Sequence, residues 1–247
     1  MDLSGALKFN NFNVSSKIRI KKNEKPLEYI NRVKTSKCLD IPKQDIVLEE
    51  KTEEEKDLKT IEWYKNHFDG SHGREFLKVL DEYTVNWKET DEYDYFLKTY
   101  SETVINPLFH GCGSIAASMI LRFGFIVKST SKTEGSGISV RGRMLGDGVY
   151  CAPFIDKALG YCTDGAYTRH NDEEAYIFEM KVILGKRGID FESGGVDDKS
   201  VLSPEYCLKK YKRQIKVLKV YRIKKVSLDY IDELKSKYQE GEKINEN

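Results

Sequence analysis

The chain has 247 residues, enough for one sizeable domain with a small helical extension. Hydrophobic residues make up 39% and aromatics 11%, which excludes a disordered chain, and no long apolar run offers a membrane span. Lys and Arg (41) nearly cancel Asp and Glu (40), so the net charge of +1 sets up no global field that would announce a nucleic-acid partner.

Five Cys and no hydrophobic leader core over Met1–Asn10 point to free thiols in a reducing compartment. The expectation is an intracellular protein, cytoplasmic or nuclear. Lys17 to Lys22 alternates cations with Ile18 and Ile20 and reads as an edge strand or a basic arm. Glu49 to Lys56 is almost wholly charged and reads as a linker or an exposed helix start.

From Asp57 the pattern turns helical. Phe76, Leu77, Leu80, Tyr83 and Trp87 fall on one face at helical spacing, and Tyr93, Phe96, Leu97 and Tyr100 repeat it. Both stripes read as core packing. Leu108-Phe109 is a short apolar strand that stops at His110-Gly111. Ser114 is a candidate N-cap for a helix over Ile115 to Phe123, with Gly124 as its C′ residue. Lys128 to Arg143 has no period and reads as a loop. Val149 to Cys151 is a strand, and Asp156 is a candidate cap for a short helix to Tyr161.

Tyr176 to Leu184 gives the clearest strand, with Phe178, Met180, Val182 and Leu184 alternating with Glu179, Lys181 and Ile183. Tyr206 to Lys209 and Ile215 to Val226 are two further strands. Leu228, Ile231, Leu234 and Tyr238 mark a closing amphipathic helix. Helices before residue 107 and strands after it make the class α+β. The expected division is a charged segment over 1–56, partly extended or disordered, a helical region over 57–104, and a β-rich domain with a C-terminal helix over 105–247.

Several signals lead nowhere. His67 and His72 lack partners at zinc spacing, so no metal is expected. The cysteines Cys38, Cys112, Cys151, Cys162 and Cys207 form no CxxC pair. Gly146-Asp147-Gly148 lacks the third Gly of a dinucleotide fingerprint. Cys112 beside His110 has no third orienting group and makes a poor nucleophile.

Three patches remain, each placing a polar or aromatic residue at the end of a short apolar strand. They are Leu108-Phe109-His110-Gly111; Gly146 to Pro153 with Ala158-Leu159-Gly160-Tyr161; and Ser203-Pro204-Glu205-Tyr206-Cys207-Leu208. In that order they resemble the catalytic domain of the poly(ADP-ribose) polymerase superfamily, in the H-Y-x branch of ADP-ribosyltransferases and nearest its mono-transferase members. The resemblance covers Pro107 to Val226. It implies a split, mostly antiparallel β core with an NAD cleft between its sheets, behind an N-terminal helical region. Ser129-Thr130-Ser131, a motif of the toxin-like branch, sits in a polar stretch with no E-x-E behind it and is discounted.

The resemblance also implies roles. His110 would bond the adenosine ribose of NAD. Gly111 would offer its N–H and C=O to the nicotinamide carboxamide, an approach that a Cβ would block. Tyr150 and Tyr161 would cover the two faces of the nicotinamide ring. Ala158 stands where many members carry a Ser that bonds the carboxamide, a loss of about 1 kcal/mol in binding. The third triad position has two candidates. Glu205 offers a carboxylate to support a cationic ribose. Tyr206 has the better spacing, with Gln214 eight residues beyond it rather than nine. Neighbours on a strand face opposite ways, so only one enters the cleft, and Tyr206 is preferred.

The function implied is mono-ADP-ribosylation of protein side chains, with NAD as substrate and nicotinamide released. The alternatives are a silent NAD- or ADP-ribose-binding module, signalled by Ala158, and a poly-ADP-ribosylating enzyme if Glu205 fills the triad. The implied partners are NAD and a protein acceptor, which includes the chain itself. Nucleic acid at Lys17–Lys22 or Lys209–Lys225 is the weakest reading, and no membrane partner is expected.

Overall fold

The structure, a computed structural model, describes residues 45–68, 76–87, 89–113, 116–117, 120–121, 124–125, 145–162, 174–194 and 205–244. Lys17–Lys22, Cys38, His72, Ser114, Lys128–Arg143 and Ser203-Pro204 lie outside the described residues.

Strand β1 (Asp45–Glu49) leads into helix α1 (Glu53–Asn66). The helix begins at a capping box: Glu55 N–H donates to Thr52 Oγ1 at 3.2 Å, and Thr52 N–H donates to Glu55 Oε2 at 2.7 Å. Glu53, Glu54 and Glu55 complement the positive helix end, so the charged run is a helix start. Ile61 and Trp63 form its buried face.

Strand β2 (Phe76–Asn86) corrects the helix expected there. Leu77 and Val79 bury on one face of the sheet, and Tyr83 and Val85 on the other. A bulge between Val79 and Asp81 slips the register by one. Leu77, Val79, Tyr83 and Val85 keep a period of two in sequence, and helical spacing emerges only when half-buried Phe76 and Leu80 are counted with them. Since β2 pairs with a strand near the C-terminus, residues 76–86 belong to the main sheet and not to a separate helical region. Helix α2 (Asp91–Thr99) follows as expected, capped by Thr90 Oγ1, which accepts from Tyr93 N–H at 3.1 Å.

Next come β3 (Val104–Cys112), β4 (Val149–Cys151), α3 (Ile155–Leu159), β5 (Glu174–Ile183), β6 (Phe191–Gly194), β7 (Glu205–Leu208), β8 (Ile215–Val226) and α4 (Leu228–Ile244). Residues 116–117 and 120–121 are helical, and Gly124 ends that turn at φ +76° with its N–H on the Ile120 carbonyl at 2.8 Å. Asp156 does not cap α3. It sits buried in the first turn, Phe154 is the N-cap, and Ile155 N–H donates to the His67 carbonyl at 2.7 Å.

The strands form two antiparallel sheets in an α+β protein: five strands ordered β1-β2-β8-β5-β3 and three ordered β4-β7-β6. Leu108, Phe178, Met180, Val217 and Val220 on the large sheet pack with Val149, Cys151 and Leu208 of the small one. On the other face Leu77, Ile177, Tyr221 and Ile223 pack with Trp63 of α1 and Ile155 and Leu159 of α3. The charge of β8 is matched across the sheet and nearby: Lys219 pairs with Glu82, Lys216 with Glu89, and Arg222 Nε with Asp81 at 2.7 Å. Much of the basic run Lys209–Lys225 is therefore engaged within the fold. Cys112, Cys151, Cys162 and Cys207 are buried free thiols.

Candidate active site

A backbone bridge joins the two sheets at the edge of β3. Phe109 on the free edge of β3 exchanges both backbone bonds with Ala152, just after β4, at 2.7 and 3.0 Å. His110 is the next residue on β3, and Tyr150 lies on the facing strand. His110 Nδ1 stands 2.7 Å from the Tyr150 carbonyl oxygen. A carbonyl only accepts, so Nδ1 carries the proton and Nε2 is left as a bare acceptor. Burial against Phe125 and Phe178 pushes the His110 pKa down, which keeps the ring neutral.

Gly111 has two constraints. Phe109 turns its N–H and C=O away from β5 toward Ala152, and pairing alternates along an antiparallel ladder. Gly111, two residues on, therefore directs both groups out of the same open edge. Its missing side chain serves a different neighbour: a Cβ would lie 1.9 Å from the Ala158 carbonyl oxygen and 2.7 Å from Cys162 Sγ. The absent Cβ lets α3 sit on β3, a packing reason that the sequence did not reveal.

Tyr150 is pinned by the turn that precedes β4. Its hydroxyl donates to the Gly146 carbonyl at 2.8 Å and accepts from Leu145 N–H at 3.0 Å. Gly146 adopts φ +89°, which favours glycine. Burial raises the Tyr150 phenol to about 12, so it stays protonated.

Register decides between Glu205 and Tyr206. Tyr150 pairs with Cys207 and Cys151 pairs with Tyr206. Opposite residues share a face and alternate residues repeat it, so Tyr150, Cys207 and Glu205 line one face. Tyr206 projects from the other, toward the core and 6.1 Å from the Phe191 ring. The register therefore places Glu205, and not the preferred Tyr206, on the face that carries Tyr150. Glu205 also meets the turn after α3: the Tyr161 hydroxyl donates to Glu205 Oε1 at 2.9 Å, and Lys157 Nζ lies 3.8 Å from Oε2. Burial, and then the adjacent carboxylate, raise the Tyr161 phenol.

Ala158 is buried in α3 and contributes its carbonyl to the contact with Gly111. Lys157 was missed from the sequence, although its spacing of four from Tyr161 places both on one side of a helical turn. Among the described residues no cluster of three or more His, Cys, Asp or Glu could hold a metal ion. No described helix is long and apolar enough to cross a membrane. No family model matches this chain, and no curated protein matches it closely enough to indicate a relationship.

Proposed function

We propose that this protein is an NAD-dependent ADP-ribosyltransferase that moves ADP-ribose to a protein acceptor and releases nicotinamide. The observation that carries the reading is the convergence of Tyr150 and Tyr161 with Glu205, from a later stretch of chain, with His110 held against the Tyr150 backbone. The split between the two antiparallel sheets supports it further.

Each group has a task on this reading. His110 Nε2 accepts a hydrogen bond from the adenosine ribose. Gly111 gives the carboxamide a donor and an acceptor. The Tyr150 and Tyr161 rings flank nicotinamide and exclude water from the glycosidic bond. That C1′–N bond breaks with its electron pair going to nicotinamide, which neutralises the pyridinium and leaves a cationic ribose. Glu205 accepts from the ribose 2′-hydroxyl, supports the cation, and takes the proton of the acceptor as its oxygen or nitrogen bonds C1′.

Single-unit transfer is the product proposed. With Glu205 on the cleft face, elongation has a carboxylate available as base, so product length is read directly. The second reading, a silent NAD-binding module, draws on the missing hydroxyl at Ala158. The test is to incubate the full chain with NAD and follow nicotinamide release and protein mass. Discrete additions of one ADP-ribose, lost in Tyr150→Ala, are expected, and a high-mass ladder would convert the reading to elongation. NAD binding with no nicotinamide released would establish the silent module instead.

A further inference from the structure

Glu205 is poorly restrained by its own sheet. It is the first residue of β7, and its partner across the ladder on β6 is Gly194, which has no side chain. On the other side the β4 ladder ends at Cys151, opposite Tyr206, so no β4 residue faces Glu205. A glutamate has three rotatable side-chain bonds, and a carboxylate left to rotate would sample many orientations.

The restraint comes from α3 and the turn after it: Lys157 Nζ stands 3.8 Å from Glu205 Oε2, and the turn supplies a hydrogen bond to Oε1. Tyr161 N–H donates to the Ala158 carbonyl at 3.1 Å, and Cys162 N–H donates to Leu159 at 3.0 Å, so the backbone that carries Tyr161 is fixed. That same Ala158 carbonyl lies over Gly111. From this base the Tyr161 hydroxyl reaches Glu205 Oε1 at 2.9 Å. A hydrogen bond from a neutral phenol to a charged carboxylate is among the stronger directional contacts available to a side chain.

We infer that Tyr161 is a positioning residue: its hydroxyl holds the Glu205 carboxylate in the orientation that the ribose requires, a task separate from what its ring does for nicotinamide. This rests on the ADP-ribosyltransferase reading and adds to it a coupling between two side chains. The hydroxyl acts on the rate of bond breaking, and the ring acts on NAD affinity.

The experiment is a double-mutant cycle on the full chain, measuring NAD affinity and nicotinamide release for wild type, Tyr161→Phe, Glu205→Gln and the pair, with Tyr161→Ala beside them. Tyr161→Phe is expected to hold NAD within about twofold and to lower kcat by about tenfold or more, the scale of a hydrogen bond to a charged group. Tyr161→Ala should lose affinity as well. In the Glu205→Gln background, Tyr161→Phe should add little, because its effect passes through the carboxylate. Unchanged kcat in Tyr161→Phe, or losses that multiply in the double variant, would overturn the positioning role and leave the transferase reading intact. Wild-type protein that neither binds NAD nor releases nicotinamide would overturn both.

Discussion

His110 and Tyr150 meet across the seam between the two sheets, with the His110 Nδ1–H donating to the Tyr150 backbone carbonyl at 2.7 Å. The contact fixes the imidazole tautomer and ties β3 to β4 where their direct pairing gives way, one residue beyond the Phe109–Ala152 bridge. A site spread over two sheets, as the proposed reading has it, needs such a tie, because small shifts between sheets would separate its parts.

The state of this histidine makes stability depend on pH. Burial depresses the folded pKa of His110, and of His67, below the ordinary 6.5. A depressed group leaves stability intact above the unfolded pKa and removes it as pH falls toward and through the folded value, since the unfolded chain binds the proton first. Urea unfolding at pH 7.5, 6.5 and 5.5 should show stability falling over the lower interval. His110→Gln should flatten that fall, and an unchanged slope would remove His110 from the account. On the proposed reading NAD affinity declines only at lower pH, as His110 Nε2 of the folded protein takes a proton at its depressed pKa.

Gly111→Ala tests the packing of α3 on β3. The added methyl would meet the Ala158 carbonyl at 1.9 Å, a backbone atom with no rotamer to escape into. Overpacking of this kind costs about 3 kcal/mol, which for a chain of this size lowers the melting temperature by roughly 6–12 °C. A thermal melt matching wild type would show that α3 can shift without cost.

Glu205 and Tyr206 are neighbours with opposite fates. On the proposed reading Glu205→Gln, which keeps the side-chain shape and removes the charge, should lower nicotinamide release by about a hundredfold. Tyr206→Phe, on the core face, should release nicotinamide at close to the wild-type rate. The reverse ranking would mean that β7 presents its other face to substrate.

Gln214 anchors the turn that follows β7. It is fully buried, its Nε2 donates to the Leu184 carbonyl at 2.8 Å, and its Oε1 accepts from Lys210 N–H at 2.8 Å. Gln214→Ala strands two backbone groups and should destabilise by about 2–5 kcal/mol. Denaturant titration is the check, and a change below about 1 kcal/mol would mean that water replaces both bonds.

What the amino-acid sequence determined by itself was local. Alternation placed β5 and β8, Gly124 marked the end of a helical turn at positive φ, and the apolar stripe of α2 emerged from its spacing. Such signals are written in neighbouring residues, because side-chain direction repeats every two positions in a strand and every three to four in a helix. The order of the three patches brought His110, Tyr150, Tyr161 and Glu205 into one list.

Only the tertiary structure decided which groups meet and which way they point. A bulge opposite β8 turns Tyr83 and Val85 of β2 to the face opposite Leu77 and Val79, which the alternation of residues 76–86 does not record. Glu205 rather than Tyr206 shares the face of Tyr150 because β7 pairs with β4 in the register Tyr150 to Cys207, and a shift of one residue would exchange their faces. Strand register is set by distant partners across a sheet, so no reading of residues 205 and 206 alone contains it. The same holds for Gly111, whose missing Cβ answers to a carbonyl forty-seven positions along the chain.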